Sequence, residues 1–130
     1  MRRITPGVIL RLDSVKHYYA PQEQLNANIL LVNESDPTDF IIYSSSYPPY
    51  QWAVSMANSD SLIAYTSAFF PAIYQDTLRI GDTTKFTITW TQKYTDLPNT
   101  YAPPGKYKFT VYMRGHALFL PVYKHFEITQ

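Results

Sequence analysis

Residues able to do chemistry are present in this chain but scattered. His17, His116 and His125 stand singly, with no partner two or four positions away. A zinc centre needs three or four converging ligands, so this spacing predicts no metal site. Ser44-Ser45-Ser46 offers hydroxyls, yet no Gly-x-Ser-x-Gly elbow strains and exposes a nucleophile. A solvated strand end is the expectation there. Asp36, Asp39, Asp60, Asp76, Asp82 and Asp96 fall in turn-like contexts. Calcium wants six to eight oxygens, whereas turn acids ordinarily bond their own backbone. Asn33-Glu34-Ser35 is a formal glycosylation sequon, relevant only in a eukaryotic secretory setting. Without cysteine, thiol catalysis, Cys-based zinc and disulfide frameworks are excluded. No catalytic residue, metal or cofactor is predicted, and the chain is not read as an enzyme.

Recognition chemistry is better represented. In Ser46-Tyr47-Pro48-Pro49-Tyr50 two prolines pre-organise an extended loop between tyrosines. Tyrosine supplies contact area with few rotors to freeze, so such a loop docks at low entropic cost. The expected partner-binding residues are Tyr47, Pro48, Pro49, Tyr50, Phe69 and Phe70, with Phe69-Phe70-Pro71 and the stretch from Tyr94 to Tyr101 as further aromatic loops for the same end of the molecule. The alternative is that Tyr47 and Tyr50 simply close that end.

The elements that must position these loops are strands. Leu25, Ala27, Ile29 and Leu31 alternate with Asn26, Asn28 and Leu30 up to Asn33; Phe86, Ile88 and Trp90 alternate with Thr87, Thr89 and Thr91; Tyr107, Phe109, Val111 and Met113 repeat the pattern. Phe40–Tyr43 reads as a short central strand. Weaker strands are expected at 8–15, 51–56 with Trp52, Val54 and Met56 on one face, 62–65, 76–80 and 119–129, where Pro121 suggests an edge or bulge. His17 to Glu23 reads as a turn, and 66–75 is ambiguous. No segment carries a capped helical period. Recurrent short strands with Pro/Gly/Asn/Asp punctuation predict an all-β sandwich, and short connections predict antiparallel pairing.

At 130 residues the chain is expected to form one domain, 1–130. Its formal charge of +1 and 16% charged residues argue against a nucleic-acid partner, which would call for a basic stripe. No run of about 18 apolar residues suggests a membrane span. Arg11 and Asp13 interrupt any signal-like core after Met1-Arg2-Arg3.

Several of these stretches occur in a telling order. Leu31-Val32-Asn33-Glu34-Ser35-Asp36-Pro37 leads into Phe40-Ile41-Ile42-Tyr43-Ser44-Ser45, then Tyr50-Gln51-Trp52-Ala53-Val54. Phe70 and Gln75, Leu78 before Gly81-Asp82, Trp90, and Pro104-Gly105-Lys106-Tyr107 follow. This succession resembles the bacterial intracellular proteinase inhibitor (BsuPI-like) family, most strongly over 19–113. The chain departs from the family in having Asn58-Ser59-Asp60-Ser61 for Asp-Gly, a return strand Leu62–Tyr65 without Trp, and a long loop between Trp90 and Pro103. The resemblance implies an immunoglobulin-like antiparallel β-sandwich of about 7–9 strands. It also implies a non-catalytic protein-interaction module whose partner is a proteinase of the serine class, met through inter-strand loops. The alternative is an extracytoplasmic structural or adhesion-type module without inhibitory activity. The expected location is the bacterial cytoplasm or, for a chain trimmed from a longer precursor, the cell envelope.

Overall fold

Leu25, Ala27, Ile29 and Leu31 point to one side of a nine-residue strand and are fully buried, as period-two alternation demands. The computed structural model describes residues 2–5, 7–35, 39–66, 69–114 and 121–130. Asp36, Pro37, His116 and the segment where the last strand was expected to begin at Phe119 lie outside them. Among the described residues there is no helix, and eleven strands follow one another: β1 (Arg2–Thr5), β2 (Val8–Asp13), β3 (Tyr18–Tyr19), β4 (Leu25–Asn33), β5 (Phe40–Ser44), β6 (Tyr50–Met56), β7 (Leu62–Tyr65), β8 (Tyr74–Leu78), β9 (Thr83–Trp90), β10 (Gly105–Met113) and β11 (Val122–Ile128). One sheet has the order β1-β2-β4-β9, a second β3-β11-β10-β6-β7, and β5 and β8 form a two-stranded ribbon. Every pairing is antiparallel except β3 with β11.

The two sheets meet through their inner faces. Ala27, Ile29, Leu31, Ile88 and Trp90 come from the first, and Val54, Tyr107, Phe109, Val111 and Ile128 from the second, in one buried cluster that Ile42 and Leu78 of the ribbon join. Phe126 is its aromatic hub. Tyr107 stacks on it with ring centres 5.7 Å apart, while Tyr19 and Trp90 meet it edge-on at 5.7 and 6.1 Å. Such offset and edge-to-face pairs add to the burial of ring area. The Tyr107 hydroxyl donates to the Pro103 carbonyl four residues upstream, the corner bond found in immunoglobulin-type sandwiches.

Several expectations need correction. Strands number eleven where about 7–9 were expected, because four-residue β1 and two-residue β3 carry too little pattern to be seen; β8 overlaps the strand expected at 76–80 but begins two residues earlier. Tyr18–Tyr19 is strand rather than turn, held parallel to Glu127 and Ile128. Phe40–Tyr43 is not central: among the described residues β5 pairs with β8 alone, and Ile42 is buried while Ile41 and Tyr43 stay exposed. Met56 points to solvent at the end of β6, and Val8, Ile9 and Leu10 are buried together rather than alternately. Pro121 precedes β11 instead of interrupting it.

Three polar devices fix the connections. Gln92 is 1% exposed; its Oε1 accepts from the Gln22 N–H at 2.8 Å, and its Nε2 donates to the Ala20 and Glu23 carbonyls at 2.9 Å each. Buried Asn33 donates through Nδ2 to the Leu78 carbonyl at 3.0 Å, and its backbone exchanges bonds with Gly81 and Asp82. Its amide thus serves the β8–β9 turn, and the sequon is inaccessible in the folded chain. At the margin of the second sheet, Thr95 N–H donates to the Ile63 carbonyl at 3.1 Å and its hydroxyl accepts from Tyr65 N–H at 2.9 Å. The 91–104 loop therefore lies along β7.

Candidate functional site

The ribbon runs from Phe40 opposite Leu78 to Ser44 opposite Tyr74, and it does not stop there. Tyr47 and Phe70 form an antiparallel bridge beyond it. Tyr47 N–H donates to the Phe70 carbonyl at 3.0 Å and Phe70 N–H returns a bond at 2.8 Å. Backbone pairing thus places two aromatic side chains side by side at the ribbon's tip. They are 44% and 64% exposed, and neighbouring Ile73 is 72% exposed. With Ile41 and Tyr43 on β5, five exposed apolar side chains belong to this ribbon and its tip. Single exposed apolar residues are ordinary; a run of them is a mark of contact surfaces.

The side chains beneath the tip hold it still. Tyr47 packs on Tyr74 at 5.9 Å between ring centres, Tyr74 on Phe86 at 5.7 Å, and Phe86 on Tyr50 at 5.3 Å. This relay of rings anchors the tip to β9 of the core sheet. Desolvation pushes the Tyr50 and Tyr74 hydroxyls above the ordinary tyrosine value of 10.0, with the Tyr47 phenol adding to both and Asp76 to Tyr74. Pro49 is buried and Pro48 half-buried across a cis Tyr47–Pro48 peptide. Arg114, at the end of β10, ties both loops down. Its backbone N–H donates to the Pro49 carbonyl at 2.8 Å and its Nη1 to the Ser46 hydroxyl at 2.6 Å. Its guanidinium carbon lies 3.4 Å from the centre of the Phe69 ring, a cation–π contact.

Of the six residues expected to bind a partner, Tyr47 and Phe70 stand at the surface, while Pro48, Pro49, Tyr50 and Phe69 form their footing. The loop from Tyr94 to Tyr101 does not join them, since Thr95 holds it against β7. Ile41, Tyr43, Ile73 and Arg114 escaped the sequence reading. The unbroken apolar run Phe40–Tyr43 was the available signal for the first two; Arg114 had none, because its partners are distant in sequence.

The polar candidates are occupied locally. The buried Ser44 hydroxyl donates to the Ser46 carbonyl at 2.7 Å. Asp82 accepts from Arg79 N–H at 2.9 Å, Asp76 from the Thr84 hydroxyl at 3.0 Å, and Asp96 from the Tyr65 hydroxyl at 2.5 Å. His17 and His125 line a shallow pocket with Lys106 and Glu127, away from these serines. Among the described residues no three His, Asp or Glu side chains converge as a metal site would need, and no helix is long and apolar enough to cross a membrane. What the ribbon tip offers is shape and apolar contact.

Among solved structures, the chain is similar to a β-glucosidase from Listeria innocua in complex with isofagomine. The two are 15% identical with a TM-score of 0.57, over 95% of this chain and 16% of that one. A β-glucosidase from Kluyveromyces marxianus in complex with glucose gives 15% identity and a TM-score of 0.51, over 95% and 14%. An alkylpurine DNA glycosylase from Pseudomonas fluorescens bound to DNA gives 15% and 0.50, over 94% and 29%. The chain thus spans less than a third of each of these proteins, and at such identity the likeness shows the fold alone. No curated protein matches the chain. The sequence model of a family described as intracellular proteinase inhibitor matches residues 12–118, running from β2 past the end of β10. On that span, which takes in both loops of the ribbon tip, the chain belongs to the intracellular proteinase inhibitor (BsuPI) family.

Proposed function

We propose that this chain is a non-catalytic binding module that inhibits a serine proteinase by inserting the tip of the β5–β8 ribbon into the enzyme's cleft. Tyr47 and Phe70 make the contact, and Pro48, Pro49, Tyr50 and Phe69 hold them in place. The observation that carries this reading is the Tyr47–Phe70 bridge, which joins two chain segments into one narrow, aromatic, backbone-paired projection. Inhibitors of this kind gain affinity when the presented segment has little freedom left to lose, and aromatic anchors supply much of the energy at protein interfaces. Whole-chain considerations agree, since a formal charge of +1 favours an apolar rather than an electrostatic mode of capture. The family's description as intracellular fits action in the bacterial cytoplasm, as one domain spanning 1–130.

The test is inhibition of a panel of serine proteinases by the purified chain at micromolar concentration. At least one enzyme should be inhibited, and Tyr47→Ser and Phe70→Ser should each weaken that inhibition about tenfold or more, equivalent to about 1.4 kcal/mol of binding. Circular dichroism and Tm should remain those of the parent. An absence of inhibition across the panel leaves the structural-module reading in its place, and inhibition indifferent to both variants removes the ribbon tip from the mechanism.

A further inference from the structure

We propose a second binding site, on the outer face of the five-stranded sheet, that takes a neutral oligosaccharide. The site follows from side-chain size. Strand β6 lies between β10 and β7, and its outward residues are Gln51, Ala53 and Ser55. Ala53 and Ser55 are short. Opposite them stand Tyr112, Thr110 and Lys108 of β10 on one side, and Leu62 and Tyr65 of β7 on the other. A trough of about 440 Å³ results, floored by β6 and walled by its neighbours. The walls are two strand spacings apart, about 10 Å, which accommodates a single extended chain of small rings.

The chemistry of the lining narrows the occupant. Lys108 Nζ lies 3.3 Å from Asp60 Oδ1, so the two charged groups of the trough offset each other and a polyanion or polycation finds no uncompensated charge. The floor is a strand paired on both sides, with no free row of backbone groups for an extended peptide to join. Recognition falls to side chains: the Gln51 amide, the Thr110 and Tyr112 hydroxyls, and the ring faces of tyrosines. A pyranose chain presents that complement, with C–H faces for aromatic rings and hydroxyls for amide and hydroxyl partners. The walls are also set in advance. Tyr65 is held by its hydroxyl to Asp96 and by its backbone to Thr95, and beneath the floor Trp52 stacks on Phe109 with ring planes 2° apart. The trough shares no residue with the ribbon tip and does not depend on the inhibitor reading.

Native gel electrophoresis through gels containing hydroxyethylcellulose, laminarin, galactomannan or, as an acidic control, polygalacturonate tests the site directly. The expected result is retardation in at least one neutral gel and none in the acidic control. Tyr112→Ala and Gln51→Ala should each reduce affinity about tenfold or more with circular dichroism unchanged. Tyr47→Ser should be retarded like the parent. Free migration in every neutral gel, retardation in polygalacturonate alone, or retardation that both trough variants retain and Tyr47→Ser loses would each overturn the proposal.

Discussion

Gln92 shows how much one buried polar side chain can organise. It reaches the Gln22 N–H and the Ala20 and Glu23 carbonyls across some seventy residues of sequence, and its own amide, 1% exposed, meets them on the buried side of the 20–23 turn. Unpaired buried groups cost about 1–3 kcal/mol each. Because the Ala20 carbonyl keeps its bond from the Glu23 N–H and the turn borders solvent, Gln92→Ala should lower stability by about 1–3 kcal/mol in urea denaturation. Gln92→Glu, which keeps the acceptor but loses both donated bonds, should lose nearly as much. A loss under about 1 kcal/mol in both would show that the turn holds its shape unaided. The buried tyrosines set a second residue-scale expectation. Burial raises the hydroxyls of Tyr19, Tyr50, Tyr74 and Tyr107 above the ordinary 10.0, so these groups bind protons more tightly folded than unfolded. Their contribution is therefore complete below about pH 10 and is lost as pH climbs through the raised folded values. Far-ultraviolet circular dichroism should collapse together with a late step in tyrosinate absorbance above that pH. Full tyrosinate absorbance with an intact spectrum would contradict it.

Strands β4, β9 and β10 were legible from their residues because each has one dry and one wet face, and period two records that difference directly. The ribbon was legible only in pieces: strands were expected at Phe40–Tyr43 and 76–80, but not their pairing with each other. Tyr74 and Gln75 owe their extended form to that pairing rather than to any pattern of their own, and Phe40–Tyr43 reads as central because it is apolar on both sides although only one is covered. The aromatic loops around Tyr47 and Phe70 stood out in the sequence, while their union through a backbone bridge was a property of the folded chain. Arg114 belongs to the same class, since a charged residue after a strand usually meets water. Here it supports the Phe69 ring and the Ser46 hydroxyl. Arg114→Ala should reduce global stability by no more than about 1–2 kcal/mol yet accelerate amide hydrogen exchange at Tyr47 and Phe70. Arg114→Lys should repair this only in part, because an ammonium cannot lie flat on a ring. Unaltered exchange at both amides would show the ring relay alone to suffice.

Across the whole molecule, connections are unequal in purpose. The Gln92 and Asn33 contacts make the loops they touch parts of the sandwich, whereas the β5–β8 ribbon carries apolar side chains outward. The 91–104 loop does something else again. Strand β7 terminates the second sheet, and terminal strands are templates for pairing with another chain. Thr95 satisfies the outward-facing groups of Tyr65 and Ile63, and the Tyr65–Asp96 bond pins the loop down. Replacing Thr95 and Asp96 together by Ala should leave the core intact but shift the chain to larger species in light scattering as concentration rises. A variant that keeps the parent's mass at every concentration would deny the loop this part. The long loop after Trp90 is then a guard built into the sequence: it keeps copies from zipping together along β7 while leaving the aromatic tip of the ribbon bare.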